Sequence, residues 1–300
     1  MITVSVPATS ANIGAGFDSC GLALALYNRV QMEEWDGVCI TSLDGTRVPA
    51  GPQNLVYRTA KGLYDECGAP LRGLRLAQEN GVPMARGLGS SSACIAAGLV
   101  GANELLGRPF TRMQLLERAA ALEGHPDNVA PAMLGGFVAS ALEGGRLYAV
   151  QKPVSQALCF AAFVPGYKLL TKKARAALPG SVAHKDAVYN VSHAALLAAA
   201  FCEERYGLLR VATGDRLHQP YRAALMPGMR EVFALCEALG ALGWWVSGAG
   251  PTLLCAVRAQ NETFFTAARA KLAAAERGSP LAAYTLHRLA PDNAGARATA

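Results

Sequence analysis

The sequence predicts a mixed α and β fold of one large domain or two ordinary ones. Short segments in which apolar and polar residues alternate predict strands, and longer segments with apolar residues three or four positions apart predict helices. The two kinds of segment follow one another along all 300 residues. With 52% hydrophobic and 17% charged residues, the chain has enough apolar side chains for a sizeable core.

The first half of the chain predicts strands that are separated first by a loop and then by helices. Residues 2–7 alternate as a strand that Pro7 ends, and a loop of small residues, ATSANIGAGFDSCG, follows. Further strands are predicted at residues 27–35 and 71–80. Helices are predicted from apolar spacing and end signals at residues 54–68, 91–106 and 111–124. Thr111 and Gln114 fit a capping box at the start of the third helix.

The second half repeats this mixture of elements. A glycine-containing hairpin is predicted at residues 135–150, and a Gly-rich loop between two strands at residues 244–258. The other predicted elements are a strand at 157–166, helices at 188–207, 228–240 and 262–277, and a closing strand at 284–291. The Ala-rich end is expected to fray. A change of domain near residues 144–153 is compatible with this order.

Composition and charge exclude several classes of protein. The net charge of +6 is mild, and no run of Lys and Arg suggests a nucleic-acid surface. The first residues lack the features of a secretory signal, and no apolar run reaches the length of a membrane span. The eight cysteines form no C-x-x-C pair, and the five histidines show no metal-binding spacing. We therefore expect a cytoplasmic protein with reduced cysteines and no membrane or nucleic-acid partner.

Residues 83–98, PMARGLGSSSACIAAG, place three glycines and three serines where a helix is predicted to begin. Glycines let backbone N–H groups approach a phosphate, and the first N–H groups of a helix have no partner inside it. The hydroxyls of Ser90, Ser91 and Ser92 add hydrogen-bond donors or a ligand for Mg²⁺. The segment is neither a Walker A sequence nor a dinucleotide-binding fingerprint. It predicts an anion site, with a tight turn and a serine N-cap as the alternative.

A second polar cluster lies in LEGHPDNVAP, residues 122–131, just past a predicted helix end. Its polar members are Glu123, His125, Asp127 and Asn128. Phosphoryl transfer needs carboxylates for Mg²⁺ and polar groups that orient the attacking hydroxyl, and this cluster offers both. A helix C-cap followed by an Asp/Asn turn is the alternative.

Other candidate residues are spread over three segments. Asp18 follows Asn12 in a compact loop, where it suits an ammonium group or forms an Asx turn. Arg175 and Arg222 are isolated; arginine is the side chain best suited to hold a carboxylate, but an isolated one is as compatible with a surface position. The segment VSGAGPTLLC is either a β-turn or a loop that closes on the phosphate site.

Taken in order, four segments resemble the GHMP kinase superfamily and, within it, the homoserine kinase family. They are PATSANIGAGFD, PMARGLGSSSA, EGHPDNVAPAMLGGF and VSGAGPTLL, and the resemblance extends from Val6 to about Val257. Relatives that act on mevalonate or galactose carry a Lys soon after the first proline and Gly-Glu-His in that loop. Here these positions are Ala8-Thr9-Ser10 and Gly16-Phe17-Asp18. The departure favours homoserine as the substrate.

The resemblance implies an α+β fold of two domains. The first, residues 1–152, is a ribosomal-S5-domain-2-like domain that binds ATP, and the second, residues 153–300, is ferredoxin-like. The implied reaction transfers the γ-phosphoryl group of ATP to the side-chain hydroxyl of L-homoserine, which gives O-phospho-L-homoserine for threonine biosynthesis. Mg²⁺ and a homodimer are also implied. The alternatives are a GHMP kinase for another small hydroxylated compound and a non-catalytic nucleotide-binding member.

The resemblance also implies the residues of the site. The expected ATP contacts are Asn54, near the adenine, and the phosphate loop Pro83, Met84, Ala85, Arg86, Gly87, Leu88, Gly89, Ser90, Ser91, Ser92 and Ala93. Mg²⁺ is expected at Ser91 and Glu123. The expected substrate contacts are Asn12, Asp18, His125, Thr171 and Arg222, and the expected catalytic residues are Asp127, Asn128 and Arg175. Arg175 and Arg222 would hold the carboxylate of the amino acid.

The catalytic base stays open at this point. Related kinases use an Asp with a nearby Lys, and here Asp127 is present but the early Lys is absent. Because the transition state of phosphoryl transfer is loose, positioning and charge stabilisation can act without a base.

Overall fold

The computed structural model describes residues 1–299 and contains two β-sheets with helices packed against them. The strands are β1 (Ile2–Ala11), β2 (Cys20–Glu34), β3 (Gly37–Ser42), β4 (Gly73–Asn80), β5 (Phe137–Glu143), β6 (Arg146–Lys152), β7 (Leu158–Pro165), β8 (Gly243–Val246), β9 (Leu253–Arg258), β10 (Tyr284–Leu289) and β11 (Arg297–Thr299). The helices are α1 (Leu55–Glu66), α2 (Ser90–Leu105), α3 (Arg112–Glu123), α4 (Pro126–Leu134), α5 (Thr171–Ala176), α6 (His184–Cys202), α7 (Leu209–Ala212), α8 (Gln219–Arg222), α9 (Met229–Ala238) and α10 (Glu262–Ala273). Three 3₁₀ turns lie at Tyr206–Leu208, Ala223–Leu225 and Pro280–Ala283.

The first sheet has seven strands and carries the N-terminal half of the chain. Its order is β11-β1-β2-β4-β3, and β5 pairs with β2 and with β6. All pairs are antiparallel except β3 and β4. Buried side chains such as Val4 and Leu76 pack against α1 to α4 through residues such as Leu99 and Val129. Among residues 1–299, no helix combines the length and apolar character needed to cross a membrane.

The second sheet has four antiparallel strands in the order β10-β7-β9-β8 and is buried on both faces. On one face Phe160 and Trp245 pack with Phe201 of α6 and with Phe137 of the first sheet. On the other face Phe163 packs with side chains from α9 and α10. The continuous apolar run of β7, which is buried along its length, is typical of a strand covered on both sides.

The two sheets meet at the end of β1, and this junction positions the site. The indole Nε1 of Trp245 donates to Ser10 Oγ at 2.9 Å, and the backbone N of Gly248 donates to Ala11 O at 3.0 Å. In the same loop, Ser247 Oγ donates to Gly87 O at 2.6 Å. The loop between β8 and β9 is therefore hydrogen-bonded both to the end of β1 and to the glycine–serine segment, residues 83–98.

Several predicted elements are confirmed, and others were wrong at an identifiable place. The capping box of Thr111 and Gln114 is present at α3, and the hairpin is β5–β6. Pro7 does not end β1, because it lies at a register shift in the pairing with β2, where a missing N–H is tolerated. Strand β2 begins at Cys20, seven residues before its predicted start. The parallel strand β3 was not predicted.

One alternative and one expectation require correction. The alternative of an Asp/Asn turn in HPDNVAP is wrong, because most of this segment belongs to α4, which Pro126 begins at a position where proline is favoured. Residues 297–299 do not fray, because β11 pairs with β1. The predicted division between residues 152 and 153 stays a prediction: β6 ends at Lys152, whereas β11 returns to the first sheet.

Candidate active site

A cleft with an empty volume of about 700 Å³, open solvent included, lies at the junction of the two sheets. Sixteen of the residues expected at the site line it: Asn12, Asp18, Ala85, Arg86, Gly87, Gly89, Ser90, Ser91, Ser92, Glu123, His125, Asp127, Asn128, Thr171, Arg175 and Arg222. Leu169, Gly248, Ala249 and Gly250 complete the lining. The cleft thus brings together residues from six separate segments, including the Gly-rich loop between β8 and β9.

The other expected ATP contacts lie outside this lining. Asn54 is buried and caps α1, because its Oδ1 accepts from the backbone N of Val56 and Tyr57. Its Nδ2 donates to Pro49 O and Gln78 Oε1. The remaining four residues belong to the ends of the phosphate loop or pack beneath it: Pro83, Met84, Leu88 and Ala93. Their roles in ATP binding stay predictions.

The backbone of the phosphate loop, residues 83–93, is left-handed at three alternate positions. Ala85, Gly87 and Gly89 have φ angles of 55°, 77° and 71°. A Cβ on Gly87 would lie 2.3 Å from Ser247 O, and one on Gly89 would lie 1.9 Å from Thr9 Oγ1, so only glycine fits. Gly89 gives α2 no side-chain cap, which leaves the first N–H groups of the helix for another acceptor. This geometry suits an anion.

Glu123 stands opposite the serines of this loop. Ser92 Oγ donates to Glu123 Oε1 at 3.0 Å, and Ser91 Oγ donates to Glu123 Oε2 at 3.3 Å. Mg²⁺ prefers oxygen ligands and is usually held by one or two carboxylates together with substrate phosphates. Within residues 1–299, no group of three or more His, Cys, Asp or Glu side chains is placed to hold a metal. The carboxylate and hydroxyls therefore fit an ion that shares its ligands with a nucleotide.

The start of α4 presents three polar side chains to the cleft. His125 Nδ1 and Asp127 Oδ1 are hydrogen-bonded to each other. This hydrogen bond raises the pKa of His125 above its usual 6.5, against the effect of partial burial and with help from the charges of Asp127, Asp18 and Glu123. Thr9 Oγ1 donates to Asn128 Oδ1 at 2.8 Å, which leaves the Asn128 amide N–H groups to donate into the cleft. Thr9 was not among the expected site residues, although it lies where mevalonate- and galactose-type relatives carry Lys.

The loop from Asn12 to Asp18 is held in an uncommon backbone conformation. Asn12, Ile13 and Asp18 have φ angles of 71°, 46° and 53°, which non-glycine residues seldom adopt. The Asn12 side chain fixes the loop: its Nδ2 donates to Gly248 O at 2.7 Å, and its Oδ1 accepts from the Asp18 backbone N at 3.0 Å. The loop therefore aims the Asp18 carboxylate across the cleft.

The two arginines of the cleft have different surroundings. Arg175 donates to both carboxylate oxygens of Asp18 at 2.9 Å and is partly exposed. Arg222 is only 2% exposed and donates to Ala174 O at 3.3 Å and Gly248 O at 3.2 Å. Burial, together with the charge of Arg175, lowers the pKa of Arg222. Among residues 1–299 no carboxylate lies within salt-bridge distance of Arg222, and the charges of Asp18, Asp215 and Asp127 only partly offset the lowering of its pKa. An anion in the cleft could therefore pair directly with this buried cation.

Comparisons with known proteins agree with the resemblance of the sequence. The profile of the GHMP kinases N terminal domain matches residues 54–136, and that of the GHMP kinases C terminal domain matches residues 197–278. The chain is 44% identical to the homoserine kinase of Clostridium beijerinckii over 88% of this chain and 89% of that one. It is 42% identical to the homoserine kinase of Caldicellulosiruptor saccharolyticus over 99% and 96%.

Solved structures give the same result for the fold. The homoserine kinase of Cytophaga hutchinsonii superposes with a TM-score of 0.86 at 28% identity, over 99% of this chain and 97% of that one. The L. major mevalonate kinase superposes with a TM-score of 0.69 at 15% identity, over 96% and 95%, and shares the fold. The α+β fold of the GHMP kinases is thereby confirmed.

Proposed function

Because the chain belongs to the homoserine kinase family of the GHMP kinases, we propose that its cleft transfers the γ-phosphoryl group of ATP to the side-chain hydroxyl of L-homoserine. The observation that carries this proposal is the charge arrangement of the acceptor side. Arg222 is a buried cation with no carboxylate of residues 1–299 within salt-bridge distance, and it lines the same cleft as the Asp18–Arg175 pair. A free amino acid supplies the carboxylate and the ammonium group that such a set binds.

The zwitterion of homoserine fits as a continuation of the Asp18–Arg175 pair. Its ammonium group adds to Asp18, and its carboxylate lies between Arg175 and Arg222. The five charges, from the ammonium group through Asp18, Arg175 and the carboxylate to Arg222, then alternate in sign, and the buried guanidinium of Arg222 gains a close counter-charge. Thr171, at the start of α5, lines the same side and adds a hydroxyl donor.

The nucleotide lies on the other side, with its phosphates on the loop Gly87–Ser92 and the start of α2. A second groove, with an empty volume of about 290 Å³, reaches α2 at Ile95, three residues past Ser92, and is lined by Leu55, Arg58, Thr59, Ile95 and Leu122. Its largely apolar lining between α1, α2 and α3 suits a planar base, and we place the adenine there. The expected role of Asn54 then becomes indirect, because Asn54 caps the helix that forms one wall of this groove.

The side chains at the start of α4 act on the reacting groups by orientation. The free amide N–H groups of Asn128 donate to the homoserine hydroxyl oxygen or to the phosphoryl group that approaches it. His125 and Asp127 are hydrogen-bonded to each other, and this pair orients the homoserine hydroxyl from the acceptor side of the cleft. Glu123 and Ser91 would hold Mg²⁺, which would supply positive charge to the phosphate oxygens. No strong base is required, because little proton transfer precedes a loose transition state.

A direct test measures ADP release together with the phosphorylated product, identified by ³¹P NMR. L-Homoserine is compared with 2-amino-1,4-butanediol, in which a hydroxymethyl group replaces the carboxylate. Leaving the guanidinium groups unpaired is expected to lower kcat/KM by about 10⁴-fold for the diol. Equal kcat/KM values for the two compounds would indicate a GHMP kinase of another specificity. If neither compound led to ADP release, the protein would be a nucleotide-binding member without activity.

The homodimer and the cytoplasmic location that the resemblance implies are also proposals. Sedimentation velocity at several protein concentrations tests the first, and fractionation of cells that express the protein tests the second.

A further inference from the structure

His218 is a completely buried histidine that lies next to Arg222 but does not line the cleft. Its two ring nitrogens face groups of opposite kind. Nε2 is 2.8 Å from Gly14 O, which can only accept a hydrogen bond, and Nδ1 is 3.2 Å from Arg222 Nη1, which can only donate one. The ring therefore carries its proton on Nε2 and offers the lone pair of Nδ1 to the arginine.

The charges around the ring agree with this neutral form. Burial lowers the pKa of His218 below its usual 6.5, and Arg222 lowers it further, against the opposing charges of Asp215 and Asp18. Asp215 Oδ2 lies 3.6 Å from His218 Nε2, farther than Gly14 O. The carboxylate is hydrogen-bonded elsewhere: it accepts from Asn190 Nδ2 and from the backbone N of Leu217, His218 and Gln219. A protonated ring would direct a second N–H at the guanidinium of Arg222, which is repulsive.

His218 also contacts the loop that carries Asp18. Its ring stacks on Phe17 with 5.1 Å between ring centroids, and its bond to Gly14 O ties it to the other end of the same loop. The Phe17 ring lies in turn 5.4 Å from the guanidinium carbon of Arg222 and 5.8 Å from that of Arg175. The buried ring of His218 thus contacts both Arg222 and the loop that carries Asp18.

We propose that His218 is a positioning residue for substrate specificity: it orients the guanidinium of Arg222 and fixes that cation relative to the Gly14–Asp18 loop. The ammonium and carboxylate subsites then keep the separation that an α-amino acid requires. This inference rests on the proposed function, because the substrate it sorts is homoserine. The ring itself touches no reacting atom and acts through Arg222.

The test measures kcat/KM for L-homoserine and for 2-amino-1,4-butanediol in four proteins: wild type, His218→Phe, Arg222→Met and the double variant. Phenylalanine keeps the ring and its stacking on Phe17 but loses both hydrogen bonds. We expect His218→Phe to lower the preference for homoserine by about 10-fold to 100-fold, mainly through KM, since a hydrogen bond to a charged group is lost. In the Arg222→Met background the same substitution is expected to change the preference little, because the guanidinium that His218 orients is absent.

Two further variants keep the proposal open to refutation if His218→Phe folds poorly. His218→Asn places an amide oxygen near the position of Nδ1 and is expected to restore part of the preference. His193→Phe makes the same change at a half-buried histidine of α6 outside the cleft and is expected to leave the preference unchanged. Folding is followed by thermal unfolding of each variant.

Three outcomes decide the matter. Equal losses of kcat/KM for both compounds in His218→Phe, or an effect of the same size in the Arg222→Met background, would overturn the inference and leave His218 a structural residue. A preference in His218→Asn no better than in His218→Phe would overturn it as well. A wild-type enzyme without any preference would instead contradict the proposed function, so the two failures are distinguishable.

Discussion

The two sides of the cleft recognise charge in different ways. The phosphate side consists of one continuous segment, Gly87–Ser92, whose backbone N–H groups and hydroxyls need only glycines and small side chains. The acceptor side consists of charged side chains that are distant in the chain; Asp18 and Arg175, which bind each other, are 157 positions apart. In the proposed complex, backbone N–H groups and hydroxyls bind the phosphate, whereas charged side chains held in place by other side chains bind the amino-acid substrate.

This difference explains which substitutions each side tolerates. On the phosphate side the limiting factor is space, because a Cβ at Gly89 would overlap Thr9 Oγ1 at 1.9 Å. On the acceptor side the limiting factor is the pairing of charge, because Arg222 is buried and no carboxylate of residues 1–299 lies within salt-bridge distance of it. Substitutions that add a methyl group should therefore harm the first side most, and those that remove a charge should harm the second.

The largest effect is expected from Gly89→Ala. The added methyl group displaces the loop from Thr9 and misplaces at least two N–H donors. Because each lost donor lowers the rate by about 10²-fold, we expect kcat/KM to fall by about 10⁴-fold. Steady-state kinetics at saturating homoserine measures it. The matched control is Gly107→Ala, just past the end of the same helix: its φ is +80°, close to the +71° of Gly89, but nothing lies within 4 Å of its Cβ. Both variants share the left-handed strain, so equal activity of the two would contradict a role of space at Gly89.

The second effect concerns the two arginines and tests whether burial ranks them. Arg222→Met is expected to lower the homoserine preference by about 10³-fold, and Arg175→Met by about 10-fold to 100-fold, because Arg175 is partly exposed and water screens it. Arg216→Met is the control, since Arg216 pairs with Asp186 and does not line the cleft. The ratio of kcat/KM for homoserine and the diol gives the answer in each variant. A larger loss in Arg175→Met would show that exposure does not rank the two residues.

The same contrast explains which parts of the site could be predicted from the sequence. The glycine–serine segment could be predicted as a site because its chemistry is local: turn, hydroxyls and helix start stand side by side. The pairing of Asp18 with Arg175 could not, because one sequence holds no information on which distant charges meet. His218 was missed for a related reason. Its spacing of four from Arg222 suggests a shared helix face, but nothing local indicates that Gly14 lies on its other side.

Helix α4 shows a limit of a different kind. Pro126 is a favourable first helical residue, but Pro131 lies inside the helix, where proline removes a backbone hydrogen bond. From the sequence alone, no helix was predicted over this segment, and an Asp/Asn turn was the alternative to a functional cluster. The helix forms because its far end is held by tertiary contacts, among them the bond from Ala296 N to Ala132 O at 2.8 Å. Tertiary structure overrode the local preference, and the segment forms a helix start with Asp127 and Asn128 in its first turn.

A smaller effect is expected at the point where the phosphate side meets α3. Glu123→Gln keeps the size of the side chain and a hydrogen-bond acceptor for the serines, but it removes the negative charge offered to Mg²⁺. The Mg²⁺ concentration for half-maximal rate is expected to rise about 10-fold, which corresponds to about 1.4 kcal/mol. Glu117→Gln, on the same helix but outside the cleft, is the control. An unchanged Mg²⁺ titration in Glu123→Gln would mean that Glu123 only orders the serines.

The smallest effect is a pH dependence of stability at His125, which stands between the two sides. Its hydrogen bond with Asp127 raises its pKa in the folded protein above the usual 6.5. The protonated form is therefore favoured by folding, and its contribution is fully present below pH 6.5 and lost as the pH rises through the higher folded value. Wild type should thus lose stability relative to His125→Gln as the pH rises above 6.5, as measured by urea unfolding at a series of pH values. In an Asp127→Asn background the main cause of the shift is gone, so the stability difference between the two should lose most of its pH dependence. A difference that stayed constant across the series with Asp127 present would show that the His125–Asp127 bond orients the ring without favouring its charge.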